Sequence, residues 1–244
     1  MSTIETNAAS APKATQPKAT ELPTATNDMR QLTALGRRIE DDSFAIIDAE
    51  AGAHGYPPAE WEVVRRVIHA TADFEFQSLM QLRPDAVAAG VAALRRGAPL
   101  IVDVKMIGVG VSEERLAAYG VRVHCFISDE DVITEAKAAG STRAIVAMRK
   151  ASRLGLLDGA IVAVGNAPTA LLELARMIRA GEARPALIIG VPVGFVSAAE
   201  SKDTVLAEDI PVPSIVARGR KGGSPIAVAI VHALLLLSTT EAAS

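Results

Sequence analysis

One cysteine stands in 244 residues. Cys125 has no partner within the chain, so an internal disulfide framework is excluded and a sulfur-based metal site has no second ligand. Aromatic residues are only 3% of the chain while half of it is hydrophobic, so the core must be aliphatic. The net charge is −3, which gives no general attraction to nucleic acid. The four histidines, His54, His69, His124 and His232, form no pair at metal-ligand spacing, so no protein-held metal is expected. The longest apolar run, Ile226 to Leu237, contains His232 and is too short to span a bilayer. It reads as a buried core helix.

Familiar catalytic signatures are also missing. Gly108-Val-Gly110 opens like a dinucleotide fingerprint, but Glu113 stands where its third glycine would be. Gly219-Arg-Lys-Gly-Gly-Ser224 has the wrong order and spacing for a P-loop. Ser43 has no nucleophile elbow around it. Residues 1–27 are rich in Ala, Thr, Pro and Lys, with Ile4 and Leu22 as their large aliphatics. Such a stretch cannot offset its ordering entropy and is expected to be a disordered tail. It lacks the apolar centre of a signal peptide, so cytoplasmic residence is expected. Residues 28–244 are expected to form one domain.

Within that domain the pattern is helical from Met29 to Glu50. Pro57-Pro58 pre-sets a second helix, and a third is expected from Pro84 to Arg96, closed by Gly97. After Gly97 strand and helix alternate. Apolar runs at Leu100–Val104, Val121–Ile127, Ala160–Val164, Ala186–Ile189 and Ser214–Ala217 read as strands. Helical patterns lie between them at Glu113–Tyr119, Ser141–Leu154, Thr169–Ala180 and Ala198–Leu206, and one follows at Ile226–Leu237. This predicts an α/β fold: a five-stranded, doubly wound parallel sheet with helices on both faces and extra N-terminal helices. Ligands of such sheets bind beyond the carboxyl ends of the strands.

Three loops fall on that edge. Gly165-Asn-Ala-Pro-Thr-Ala170 opens a helix with its backbone N–H groups expected to face outward. The second is Gly190 to Lys202. The third, Arg218-Gly-Arg-Lys-Gly-Gly-Ser224, brings three cations to a helix N-terminus. Together they favour an anionic ligand.

His69 is the candidate proton carrier. It lies on an amphipathic helix, with Val63/Val67 and Val64/Ile68 at helical spacing. Arg65 and Arg66 precede it by four and three residues and Asp73 follows it by four. The arginine would lower the imidazole pKa and the aspartate would raise it. Which of them dominates is not written in the sequence.

These segments, taken in order, resemble the precorrin-8X methylmutase family of corrin (vitamin B12) biosynthesis, including its cobalt-precorrin-8 members. The resemblance rests on Ser43-Phe-Ala-Ile-Ile47, Val67-Ile-His-Ala-Thr71, Thr142-Arg143, Gly165-Asn-Ala-Pro-Thr-Ala-Leu171, Pro192-Val-Gly-Phe-Val196 with Ala199-Glu-Ser-Lys202, and Gly219 to Ser224. It implies a flavodoxin-like sheet, a homodimer with sites at the subunit interface, and no added cofactor. The implied isomerase reaction moves a methyl group from C-11 to C-12 of the tetrapyrrole by a formal 1,5-sigmatropic shift, giving hydrogenobyrinate or, with cobalt, cobyrinate. By motif position His69 would be the catalytic proton donor/acceptor, and Ser43, Arg66 and Arg143 would contact substrate. Two other classes fit less of the chain: a corrinoid-binding carrier without catalysis, and a nucleotide- or phosphate-dependent enzyme using the Arg218–Ser224 loop. Neither nucleic acid nor membrane is expected as a partner.

Overall fold

The computed structural model describes residues 33–239; the expected tail at 1–27 and the first residues of the Met29–Glu50 helix lie outside them. The chain begins with α1 (Ala34–Ala51), α2 (Pro58–Thr71) and the short α3 (Phe76–Leu79). It then runs β1 (Met80–Leu82), α4 (Ala86–Arg95), β2 (Leu100–Val102), α5 (Lys105–Gly110), α6 (Glu113–Ala118) and β3 (Val123–His124). There follow α7 (Glu130–Ala138), α8 (Arg143–Arg153), β4 (Ile161–Val164), α9 (Pro168–Arg179), β5 (Leu187–Gly190), α10 (Ala198–Val205), β6 (Ser214–Ala217) and α11 (Ser224–Thr239).

The helix ends follow local chemistry. Pro58 sits in the first turn of α2, where its missing N–H costs nothing. Thr142 caps α8 by accepting the Ile145 N–H at 3.2 Å. Gly97 adopts φ 72 after α4, a left-handed turn that suits glycine, and a Cβ there would stand 2.9 Å from the Tyr119 carbonyl.

The sheet has six strands in the order β1-β6-β5-β4-β2-β3, against the five expected. Its five parallel strands occupy the positions second-first-third-fourth-fifth in chain order, which is the flavodoxin-like arrangement. The additional strand, β1, pairs antiparallel with β6 at one edge, Met80 opposite Ala217. Three residues show no periodicity, so nothing in the sequence marks them. At the opposite edge β3 is only two residues long, where Val121–Ile127 was expected, because β2 supplies its one neighbour.

Side-chain alternation splits the core in two. On one face Leu100, Val102, Ile161, Ala163, Leu187, Ile189 and Ile215 pack against α1, α2, α4 and α11. On the other, Ile101, Val162, Val164, Ile188 and Val216 pack against α8, α9 and α10. Helices cover both faces, as the near-continuous apolar strands required. α11 lies against both α2 and α4, and its apolar run is buried core, as expected. No helix among the described residues is long and apolar enough to cross a membrane.

Candidate active site

The switch point of the sheet lies between β2 and β4, where the chain turns one way after β2 and the other after β4. Asp103, one residue past β2 and 1% exposed, fills it. Its Oδ1 accepts the Gly165 N–H at 3.0 Å, and its Oδ2 accepts those of Asn166 at 2.9 Å and Ala167 at 2.6 Å. The loop amides expected to face outward therefore turn inward onto the chain's own carboxylate, which occupies the anion nest they form. Burial pushes the Asp103 carboxyl up, and the backbone N–H bonds oppose that shift. Gly165 also presses against α11: a Cβ there would lie 2.9 Å from the Ser224 Cα.

The second and third loops are bound to each other. The Gly194 N–H donates to Arg220 O at 3.2 Å and the Gly223 N–H to Val191 O at 2.8 Å. Gly222 sits so close that a Cβ would be 2.3 Å from the Val191 oxygen. Lys202, 0% exposed on α10, donates its ammonium to Gly219 O at 2.8 Å and Lys221 O at 2.7 Å. Burial pulls its pKa down to about 8, against a weaker opposing pull from Asp203.

The three cations of the third loop are distributed rather than pooled. Lys221 pairs with Asp73 and with Glu75 at 2.6 Å, and Arg218 with Asp203 at 3.4 Å. Among the described residues, Arg220 is the loop cation without a carboxylate partner; its guanidinium lies 5.6 Å from the centre of the exposed Phe195 ring. The Lys221–Asp73 pair ties the loops to the segment just beyond α2. Ala72 makes this reach possible by ending α2 in a left-handed conformation, φ 52, which is strained for a residue with a Cβ.

His69 lies in the last turn of α2, with its imidazole tilted 39° at 5.0 Å from the Phe44 ring of α1. The Arg65 and Arg66 guanidinium carbons lie 4.5 and 5.0 Å from the same ring. Arg66 donates to Glu40 Oε1 at 2.9 Å, and Arg65 pairs with Asp48 at 2.8 Å and with Glu62. Partial burial lowers the His69 pKa, Arg66 lowers it further, and Glu40 pulls the other way. The imidazole is thus held below its ordinary value first by burial and then by Arg66, while Asp73 is engaged by Lys221. An imidazole below 6.5 is mostly neutral at pH 7 and able to take a proton.

His232 of α11 is a different kind of histidine. It accepts the Ser112 N–H at 3.1 Å, and burial with the Arg115 and Arg66 charges pulls it to about 4. It stays neutral and serves as a fixed acceptor.

His69 and Arg66 come together with Phe44 and Glu40 through the packing of α1 on α2, and Ser43 is the chain neighbour of Phe44. Ser43 donates its hydroxyl to Ile39 O at 2.7 Å within its own helix. Arg143 is elsewhere. It is exposed at the start of α8, on the opposite face of the sheet, and next to Thr142, whose hydroxyl lies 3.1 Å from that of Thr169 in the first loop.

Comparison with known proteins decides the family. The precorrin-8X methylmutase family profile matches residues 38–237. A cobalt-precorrin-8 methylmutase of Leptospira interrogans is 55% identical over 215 residues, covering 86% of this chain and 98% of that protein. A precorrin-8X methylmutase of Pseudomonas aeruginosa is 44% identical over 199 residues, covering 82% and 94%. The solved structure of a precorrin-8X methylmutase from Thermus thermophilus superimposes with a TM-score of 0.79 at 51% identity, covering 84% of this chain and 97% of that one. The chain belongs to the precorrin-8X methylmutase family.

Methylmutases of this family are isomerases of cobalamin biosynthesis, and this chain is such an enzyme. Reasoning from sequence missed several residues in and around the candidate site: Glu40, Asp103, and the structural use of Lys202 and His232. Asp103 carried one usable signal, an acid directly after an apolar strand. Glu40 carried none, because its partner Arg66 lies 26 residues away.

Proposed function

We propose that this chain moves the methyl group of precorrin-8X, or of its cobalt form, from C-11 to C-12 of the ring, yielding hydrogenobyrinate or cobyrinate, with His69 as proton donor/acceptor. The observation that carries this reading is the junction of the segment just beyond the His69 helix with the third sheet-edge loop, made by Lys221, Asp73 and Glu75. In this reading the His69 imidazole works together with loops that carry Arg220 and the exposed apolar side chains of Val193, Phe195 and Val196. A tetrapyrrole has apolar ring faces and a rim of acetate and propionate groups, and needs both kinds of surface.

The reaction is an isomerisation, so atoms and electrons balance within the substrate. The bond from C-11 to the methyl carbon breaks as the bond to C-12 forms, and the ring double bonds shift in compensation. A proton held at the ring favours the rearranged conjugation. Substrate carboxylates at the site raise the proton affinity of His69, which donates that proton to the ring before the shift and takes it back in its neutral form afterwards. Positioned acid–base groups contribute about 10²–10⁴-fold. Arg66 holds a rim carboxylate alongside Glu40, Ser43 offers its hydroxyl, and Arg143 and Arg220 hold further rim groups as forked donors.

A homodimer completes the proposal. Leu35, Ile39 and Ile46 of α1 are 69%, 57% and 58% exposed. They form an apolar stripe on the outward side of α1, opposite the face that carries Phe44, and a second copy would cover that stripe. The test is incubation of the chain with precorrin-8X, and separately with its cobalt form, carrying a ¹³C label on the migrating methyl group. Movement of the label to C-12 at unchanged mass supports the reading; tight binding with the label fixed at C-11 contradicts it. Sedimentation velocity reports the dimer.

A further inference from the structure

Glu40 takes no step in the chemistry described so far, yet it is 8% exposed and is paired with Arg66, three residues from His69 on α2. Its Oε1 accepts from Arg66 Nη1 at 2.9 Å, while its Oε2 is buried with no hydrogen-bond partner among the described residues. A buried acceptor left unmatched costs about 1–3 kcal/mol. The helix could avoid that cost with an apolar residue at position 40. An ion pair of this kind is weak evidence of stabilisation by itself, so its presence beside a titrating histidine calls for another account.

We propose that Glu40 is a positioning residue for the methylmutase reaction: through its ion pair it fixes the Arg66 guanidinium and offsets the charge that Arg66 presents to His69. This rests on the reading of His69 as the proton carrier.

The surrounding charges leave Glu40 in this role. On α2, Arg65 is held by Asp48 and Glu62, with its guanidinium over the ring of Phe44. Beyond α2, Asp73 and Glu75 are held by Lys221. From α6 and α2, the charges of Arg115 and Arg66 both act on the neutral His232 of α11. On His69 itself the Arg66 charge acts downward and the Glu40 charge upward. Without Glu40, an uncompensated guanidinium on the same helix face would hold the imidazole further from protonation. Arg66 would also be free to swing, since the ring of Phe44 gives it a surface but no hydrogen-bond acceptor.

The test is an NMR titration of the histidine rings in the full chain without substrate, with His69 assigned by its loss in H69A. E40Q lowers the His69 midpoint by about half a pH unit, the size of one unit charge across a partly solvated gap. R66M raises the midpoint. E40D keeps the charge and holds the midpoint near that of the native chain. A midpoint that E40Q leaves in place or raises overturns the proposal. R66M carries the same weight if E40Q does not fold: a midpoint unmoved by R66M overturns it as well. Activity then separates the two readings. With substrate, the pH profile of kcat in E40Q moves in the same direction as the titration. Midpoints that move as stated, in a chain whose native form leaves precorrin-8X unconverted, would uphold the Glu40–Arg66–His69 coupling and refute the reaction.

Discussion

Replacing Lys202 by methionine isolates one buried charge and tells how the cationic loop is held. The native ammonium is 0% exposed and donates to two carbonyl oxygens of the 219–221 segment. Methionine fills a similar volume but donates nothing. At pH 7 two effects oppose each other: two carbonyls lose their donors, at about 1–3 kcal/mol each, and the cost of burying a charge disappears. The second effect follows from the pKa. A fall from 10.5 to about 8 corresponds to about 3 kcal/mol. Below pH 8 lysine is charged in both folded and unfolded chains, and the folded state bears the whole cost. Between pH 8 and 10.5 the folded chain releases the proton while the unfolded chain keeps it, so stability rises with pH. Methionine binds no proton in either state. The stability of the native chain minus that of K202M should therefore climb by about 3 kcal/mol across that window, read by urea unfolding at a series of pH values. A difference that stays flat from pH 7 to 10.5 would refute the reasoning, since it would mean that the amine keeps its solvent-like proton affinity.

Two further substitutions probe the loops. D103N leaves the shape of the switch point but turns an NH₂ group toward donors that need an acceptor; losing part of a three-amide nest should cost about 2–4 kcal/mol, read by chemical denaturation, and an unchanged midpoint would contradict the assigned bonds. G222A puts a methyl group 2.3 Å from the Val191 oxygen and 2.8 Å from that of Pro192. Backbone must move to admit it, so stability should fall by about 1–3 kcal/mol and substrate affinity with it, whereas full affinity in G222A would show that the two loops need not touch.

The parallel strands were legible because strands buried on both faces are apolar without interruption. Ser214–Ala217 and Ala160–Val164 could be bounded to within a residue of β6 and β4. The edges were not. β1 and β3 are three and two residues long, and their pairing is decided by where β6 and β2 end, which no local pattern records. α5 escaped notice as well, since Gly108 and Gly110 are poor helix formers and packing against β2 and α11 overrides them. The candidate site was written in the sequence as a set of motifs on one sheet edge, and the second and third loops are joined there. Their electrostatics were not legible. The outward amides of the first loop point at Asp103, and two of the three cations of the third loop are taken by Asp73, Glu75 and Asp203. Each of those acids except Asp203 is far away in sequence, so a cation-rich loop looks freer in sequence than in the fold.

The most direct test of the central claim is H69A, assayed with precorrin-8X by following the visible spectrum, with binding measured separately by equilibrium titration. The methyl shift changes the conjugated system, so turnover is seen as a change of colour. If His69 carries the proton, H69A retains tetrapyrrole binding near the native affinity and loses turnover by about 10²-fold or more. Turnover close to native in H69A would contradict the account.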